Sequence, residues 1–175
     1  MNLPKKYQWL QKEASPRHLL KAIELYGTTE IVGPKSNPVI MGWADELGLK
    51  QYTNDDIPWC GAFIAIIMKR SDRKVVKDPL WARNWVNFGF AVKEPMLGDV
   101  LVFSRESGGH VGLYIAQDKT SYHVLGGNQG NSVSIVRIEK SRLIASRRPT
   151  YNSQPLNIRK IVIDSTGTIT SINEA

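Results

Sequence analysis

Cysteine occurs once in these 175 residues, as Cys60, and histidine three times, as His18, His110 and His123. One cysteine excludes an internal disulfide and a cysteine-rich zinc site, and a chain of this length builds a core without either. The apolar runs are far too short to span a bilayer. The start, Met1 to Tyr7, carries Lys5 and Lys6 but no apolar segment behind them, so no signal peptide is expected and the chain is read as made in the cytoplasm. Acidic residues are outnumbered 16 to 23 by Lys and Arg, a net charge of +7, which suits an anionic partner. The basic residues are scattered, in nothing longer than short doublets such as Lys5-Lys6 and Arg147-Arg148, and no nucleic-acid partner is expected. Internal repeats and low-complexity segments are absent, and the length suits one domain with small extensions.

What is present centres on Ile57 to Met68. From Ala62 to Met68 no residue is polar, and Lys69-Arg70-Ser71 closes the run with positive charge, favoured at a helix C-terminus. Pro58 suits a first helical turn. A helix apolar on every side is buried on every side, so residues ~58–70 read as a central helix with Cys60 in its first turn. A helix N-terminus beside an imidazolium lowers a thiol pKa from ~8.5 to ~3.5–7.5, whereas a free cysteine alone is more often a small buried hydrophobe. Asp55 and Asp56 have two readings: binding a substrate amine, or favouring the helix dipole.

Upstream, residues ~6–13 read as a short helix with Trp9 and Leu10 inward. Ser15 caps and Pro16 opens a second helix that ends at Gly27 and carries His18 on its surface. A loop over residues 28–38 precedes a third helix, Val39 to Gly48, with Ile40, Trp43, Ala44 and Leu47 at helical spacing. Residues 80–89 read as a further helix. Trp81, Trp85 and Phe88 share one face of it as a core stripe, and Arg83 and Asn84 point elsewhere, toward the rim of a cleft.

The period then switches to that of strands. Val100–Phe103, His110–Ala116, Ser121–Leu125, Val133–Ile138 and Leu143–Arg147 are joined by short polar or glycine-rich links, which predicts an antiparallel meander of about five strands. The segments Ile158–Asp164 and Ile169–Ile172 flank Ser165-Thr166-Gly167-Thr168 as a hairpin. Residues 1–149 thus form the domain and 150–175 a C-terminal extension.

A cysteine nucleophile needs a base within hydrogen-bond reach, and the base needs an orienting group. Cys60 begins a helix. His110 begins a strand after Gly108-Gly109, which leave space for substrate. Asn128 follows the next strand, so an antiparallel sheet can bring it beside His110.

The motifs around these residues resemble one superfamily. Pro58-Trp59-Cys60-Gly61-Ala62-Phe63 is similar to the nucleophile motif of NlpC-type and CHAP papain-like cysteine peptidases. Leu97-Gly98-Asp99-Val100 to Phe103 resembles their glycine–aspartate turn, Gly109-His110-Val111-Gly112-Leu113-Tyr114 their histidine motif, and Val124-Leu125-Gly126-Gly127-Asn128-Gln129 the segment with the third polar residue. Glu30-Ile31-Val32-Gly33, Asn37-Pro38-Val39-Ile40 and Ala82-Arg83-Asn84-Trp85 resemble a phage- and prophage-associated branch. The resemblance covers roughly residues 8–149.

It implies an α+β papain-like fold: N-terminal helices, with the nucleophile on a central helix packed on the sheet. It also implies a peptidoglycan amidohydrolase, an endopeptidase or N-acetylmuramoyl-L-alanine amidase, of phage-lysin or injected-effector type, acting in the periplasm or cell wall without metal or cofactor. An effector would have an immunity protein as partner. The implied catalytic residues are Cys60, His110 and Asn128, with Trp59, Asp56, Gly109 and Arg83 toward substrate. CHAP members often carry a glutamate where this chain has Gly126. Some NlpC-type members use a second histidine, which makes His123 the rival of Asn128; His123 is read as a structural residue near the site. A silent binding module and a transacylase are the alternatives on the same scaffold.

Overall fold

Among the described residues three α-helices form where caps or apolar periodicity call for them. The computed structural model describes residues 3–106 and 108–163. Helix α1 (Arg17–Glu24) turns Leu19, Ala22 and Ile23 inward. Helix α2 (Pro38–Leu47) has Asn37 as its cap, accepting from the Val39 N–H at 2.8 Å, and Gly48 ends it at φ 71°. Helix α3 (Cys60–Lys69) has no side-chain cap, and every residue from Cys60 to Met68 is buried. It packs against α1 and α2 and against the sheet. Burying each of its Phe and Ile side chains stabilises the fold by roughly 1.5–3 kcal/mol, which offsets the missing cap.

Three sequence expectations are corrected in this part of the chain. Ser15 does not cap α1; Pro16 occupies the cap position and the Ser15 hydroxyl bonds the Asn157 side chain. His18 is not a surface residue but is fully buried, with Nε2 donating to the Gly98 carbonyl at 2.7 Å. Pro16 and His18 sit so close to Gly98 that a Cβ there would lie 2.7 Å from Pro16 Cγ and 3.1 Å from His18 Nε2. The helix expected over 80–89 is a 3-10 segment, Ala82–Asn87. Its tighter winding breaks the i, i+4, i+7 stripe: Trp85 and Phe88 are buried, while Trp81 precedes the segment and is 73% exposed.

The sheet has six strands, all antiparallel: β1 (Phe90–Ala91), β2 (Val100–Arg105), β3 (Gly108–Gln117), β4 (Ser121–Gly126), β5 (Ser134–Glu139) and β6 (Leu143–Arg148). Their order, β1-β6-β2-β3-β4-β5, departs from a plain meander because β6 pairs with β2 rather than β5. Only Lys140–Arg142 separates β5 from β6. So short a link cannot cross a flat sheet, so the sheet must curl until β5 approaches the β6 side.

The curl separates two cores. Val100, Val102, Val111, Leu113, Ile115 and Leu125 face the helices. Leu101, Phe103, Tyr114, Tyr122, Val124 and Ile138 fill the inside of the curl. Strand alternation puts His110, opposite Phe103 in the register, on this inner side at the start of β3. The turn before β2 is fixed by buried Asp99, which accepts from Arg148 Nη2 at 2.8 Å and from the Met96 N–H at 2.8 Å.

Residues 150–163 pack back on the rest of the chain. Ile158 is buried, the Leu97 N–H donates to the Arg159 carbonyl at 3.0 Å, and Asn157 Nδ2 reaches Glu13 Oε2 at 2.6 Å. Val162 bridges Gln117 in parallel. The expected hairpin turn and second arm, residues 165–172, lie outside the described residues.

Candidate active site

Cys60 is the first residue of α3, so its own N–H and those of Gly61 and Ala62 precede the first intrahelical bond, which runs from the Phe63 N–H to the Trp59 carbonyl at 2.9 Å. The backbone N–H of Val111, the residue after His110, lies near enough to the thiol to favour its ionised form, which sets Cys60 beside the strand that carries His110. Burial pushes the Cys60 thiol up; the amides of Val111, Gly61 and Cys60 and the charge of Arg105 oppose this without reversing it. The lowered thiol pKa that the helix N-terminus predicts is therefore corrected: desolvation outweighs the amides.

His110 is fully buried, and its Nε2 lies 2.9 Å from Gln129 Oε1. The Gln129 amide cannot flip without loss. Its Nε2 donates to the Val124 carbonyl at 3.2 Å and to the Ser134 carbonyl at 2.6 Å, so Oε1 must face the imidazole. An acceptor there fixes the neutral tautomer: Nε2 carries the proton and Nδ1 the lone pair.

Asn128, the expected orienter, sits one residue earlier in the left-handed region at φ 56°, buried, with no hydrogen bond to Oδ1. The sequence segment was legible, but which of two adjacent amides faces the histidine depends on a backbone turn that composition does not reveal. Both ring nitrogens of His123 are engaged elsewhere. Its Nδ1 meets the Tyr7 hydroxyl at 2.7 Å and its Nε2 meets Asp118 Oδ2 at 2.9 Å. Asp118 also binds Arg137 Nε at 2.6 Å, so the carboxylate holds the His123 Nε2 proton and Tyr7 donates to Nδ1. Burial lowers the His123 pKa. This arrangement accounts for His123 as a part of the packing between the 3-10 segment Lys5–Lys12, which carries Tyr7, and β4.

Gly61 and the pair Gly126-Gly127 allow these elements to meet. A Cβ on Gly61 would lie 2.1 Å from the Pro79 carbonyl oxygen, so the 79–80 backbone crosses directly over the turn that carries Cys60. A Cβ on Gly126 would lie 3.1 Å from His110 Nε2, and one on Gly127 would lie 2.6 Å from Phe63 Cβ and 2.7 Å from Trp59. Gly126-Gly127 thus touches His110 on one side and α3 on the other. A bulkier residue at 126, such as the glutamate of CHAP members, would collide with Gln129, whose Oε1 lies 2.7 Å from the position of that Cβ.

The four residues expected toward substrate divide into two groups. Arg83 and Gly109 come together: Arg83 Nε donates to the Gly108 carbonyl at 2.8 Å, and its Cγ lies 3.0 Å from where a Gly109 Cβ would be. Trp59 is fully buried beside Trp43 and under Gly127, and its Nε1 donates to Glu30 Oε2 at 3.0 Å. It packs beneath the start of α3 and has no open face. Asp56 is exposed, with its N–H donating to Asn54 Oδ1 at 3.1 Å. Asp55, by contrast, is buried and accepts from the Ile31 and Asn37 N–H groups at 3.1 and 2.7 Å, which fixes the 28–38 loop and rules out a role on a substrate amine.

That loop joins the segments of Cys60 and Gln129. The Glu30 N–H donates to the Asn131 carbonyl at 2.9 Å while the Glu30 carboxylate holds Trp59, so the Gln129 loop and the residue before Cys60 share one anchor.

No family model matches the chain, and no curated protein matches it. The geometry therefore stands by itself as the guide to function. Cys60 is only 4% exposed. A cavity of about 560 Å³ lined by Arg73, Val75, Phe88 and Pro149 contains none of the site residues. Among the described residues no group of three or more His, Cys, Asp or Glu side chains could hold a metal ion, and no helix is long and apolar enough to cross a membrane.

Proposed function

We propose that this chain is a cysteine hydrolase of amide bonds in bacterial cell-wall peptide, built on a papain-like scaffold. The observation that carries the reading is the meeting of Cys60, at a helix N-terminus, with the strand of a histidine whose tautomer Gln129 fixes. In this reading Gln129 takes the orienting role that the motif resemblance gave to Asn128.

The chemistry follows from the protonation states. At rest the buried thiol keeps its proton. As substrate enters, His110 Nδ1 accepts that proton and the sulfur attacks the amide carbonyl carbon. The oxyanion is stabilised by the Cys60 N–H at the helix start. The imidazolium, held by Gln129, then protonates the leaving nitrogen as the C–N bond breaks, leaving a thioester and a free amine. Water gives a proton to His110 and its oxygen to the carbonyl carbon; the C–S bond breaks and the thiol recovers its proton. The net positive charge favours association with an anionic envelope. The two settings are a phage-type lysin and an injected antibacterial effector, both acting in the periplasm or wall.

Purified peptidoglycan sacculi, digested with the wild-type protein and with Cys60→Ala and analysed by mass spectrometry, test the proposal. Soluble fragments from the wild type alone are expected, and their masses identify the amide that is cut. Intact sacculi after incubation with a folded wild-type protein overturn it.

A further inference from the structure

Trp81 is the most open aromatic side chain among the described residues, at 73% exposed, whereas Trp43, Trp59 and Trp85 are at most 1% exposed. It is bracketed by two contacts that lead to the site. On one side Pro79 and Leu80 lay their carbonyls over Gly61, next to Cys60. On the other, Arg83 lies over Gly109, next to His110, with its Nε tied to the Gly108 carbonyl at 2.8 Å. The chain between residues 79 and 83 is thus pinned at both ends against the neighbours of Cys60 and His110, and the turn that precedes the 3-10 segment leaves the indole facing outward. The Trp81 N–H donates to the Asp78 carbonyl at 3.2 Å, and Asn84 Nδ2 binds the same carbonyl at 3.0 Å, which holds the segment in place without help from the Trp81 side chain.

Nothing in the packing requires this tryptophan. An exposed indole leaves its apolar area in water unless a ligand covers it, and Trp and Arg are the residues that concentrate binding energy at recognition surfaces. Arg83 uses one edge of its guanidinium on the backbone and remains exposed. A planar cation pre-set in this way suits a carboxylate.

We propose that Trp81 and Arg83 form a glycopeptide subsite beside the segments that carry Cys60 and His110, with Trp81 stacking on a wall sugar ring and Arg83 binding a carboxylate of the attached stem peptide. This rests on the cell-wall reading above and narrows it: the preferred substrate is a stem still joined to its glycan, so the cut falls near the sugar end.

Iodide quenching of tryptophan fluorescence in full-length Cys60→Ala tests the subsite, with a disaccharide–tetrapeptide and the same tetrapeptide lacking sugar as probes. The disaccharide–tetrapeptide is expected to shield the exposed tryptophan and the sugar-free peptide to leave it quenchable. Trp81→Ala in the same background is expected to weaken disaccharide–tetrapeptide binding about tenfold, to the level of the free peptide, and Arg83→Gln to weaken both probes alike. Equal shielding by both probes, unchanged affinity in a Trp81→Ala protein that melts like its parent, or no binding of either probe at millimolar concentration overturns the subsite. Digestion of sacculi by the wild type separates the two proposals. If it proceeds while these results fail, only the subsite falls; if it does not, the cell-wall reading falls first.

Discussion

Gln129 Oε1 stands 2.9 Å from His110 Nε2, and the amide nitrogen of the same side chain is held by the carbonyls of Val124 and Ser134. The glutamine therefore does for the imidazole what neither Asn128 nor His123 is placed to do: it selects a tautomer. Gln129→Ala should lower kcat for wall hydrolysis by roughly 10²-fold or more with little change in KM, the behaviour of a positioning residue. Gln129→Glu, which keeps an acceptor, should move the acid limb of the pH–rate profile upward because a carboxylate favours the imidazolium. His123→Gln should affect stability rather than turnover. Full activity in Gln129→Ala beside a severe loss in Asn128→Ala would return the orienting role to Asn128.

The resting state of the nucleophile is open to a direct check. Burial raises the Cys60 pKa, so alkylation by iodoacetamide should be slow at pH 7 and keep rising past pH ~8.5, the ordinary thiol range. Unfolding in urea should abolish the difference from a free thiol. A rate that levels off near neutral pH would mean a pre-formed thiolate and would remove proton transfer to His110 as a step on substrate entry.

Glycines at three positions should respond in opposite directions. Gly61→Ala places a methyl group 2.1 Å from the Pro79 carbonyl oxygen, and Gly127→Ala places one 2.6 Å from Phe63 Cβ. Both should destabilise by about 1–3 kcal/mol and shift the residues flanking Cys60. At Gly42, inside α2, a Cβ would meet nothing within 4 Å, so Gly42→Ala should stabilise by about 1 kcal/mol through helix propensity. Urea unfolding midpoints for the three variants decide the matter.

Acid should weaken the fold through His18. Burial lowers its pKa to about 4, below the ~6.5 of an unfolded chain, so its contribution is complete above pH ~6.5 and is lost as pH falls from there through about 4. Across that window the loss amounts to about 3 kcal/mol. His123 is also lowered and acts in the same direction. Chemical denaturation at pH 7 and pH 4.5 should show a smaller pH dependence in His18→Gln than in wild type. An unchanged pH dependence would show that His18 is not buried in its neutral form.

Much was decided locally. The unbroken apolar run from Ala62 to Met68 admits no orientation with a solvent face, so its burial and the position of Cys60 at its start were legible from order alone. The strands after Asp99 were equally plain because alternation and glycine-rich links leave few options, and β2 to β5 formed as neighbours in sequence. Four features required the tertiary structure. The return of β6 to β2 depends on a curl that the whole sheet produces. His18 is buried because the Gly98 turn, eighty residues away in sequence, supplies a carbonyl for its Nε2. Trp81 is exposed because it falls in the turn before the 3-10 segment instead of on a face of the expected helix. Gln129 rather than its neighbour meets His110 because Asn128 adopts a left-handed backbone, and that turn is held by bonds to Ser132 and Ser134 formed only once the loop closes. The residue types for the chemistry were thus written in the sequence, while the proton on His110 and the solvation of Cys60 were set by what the fold packed against them.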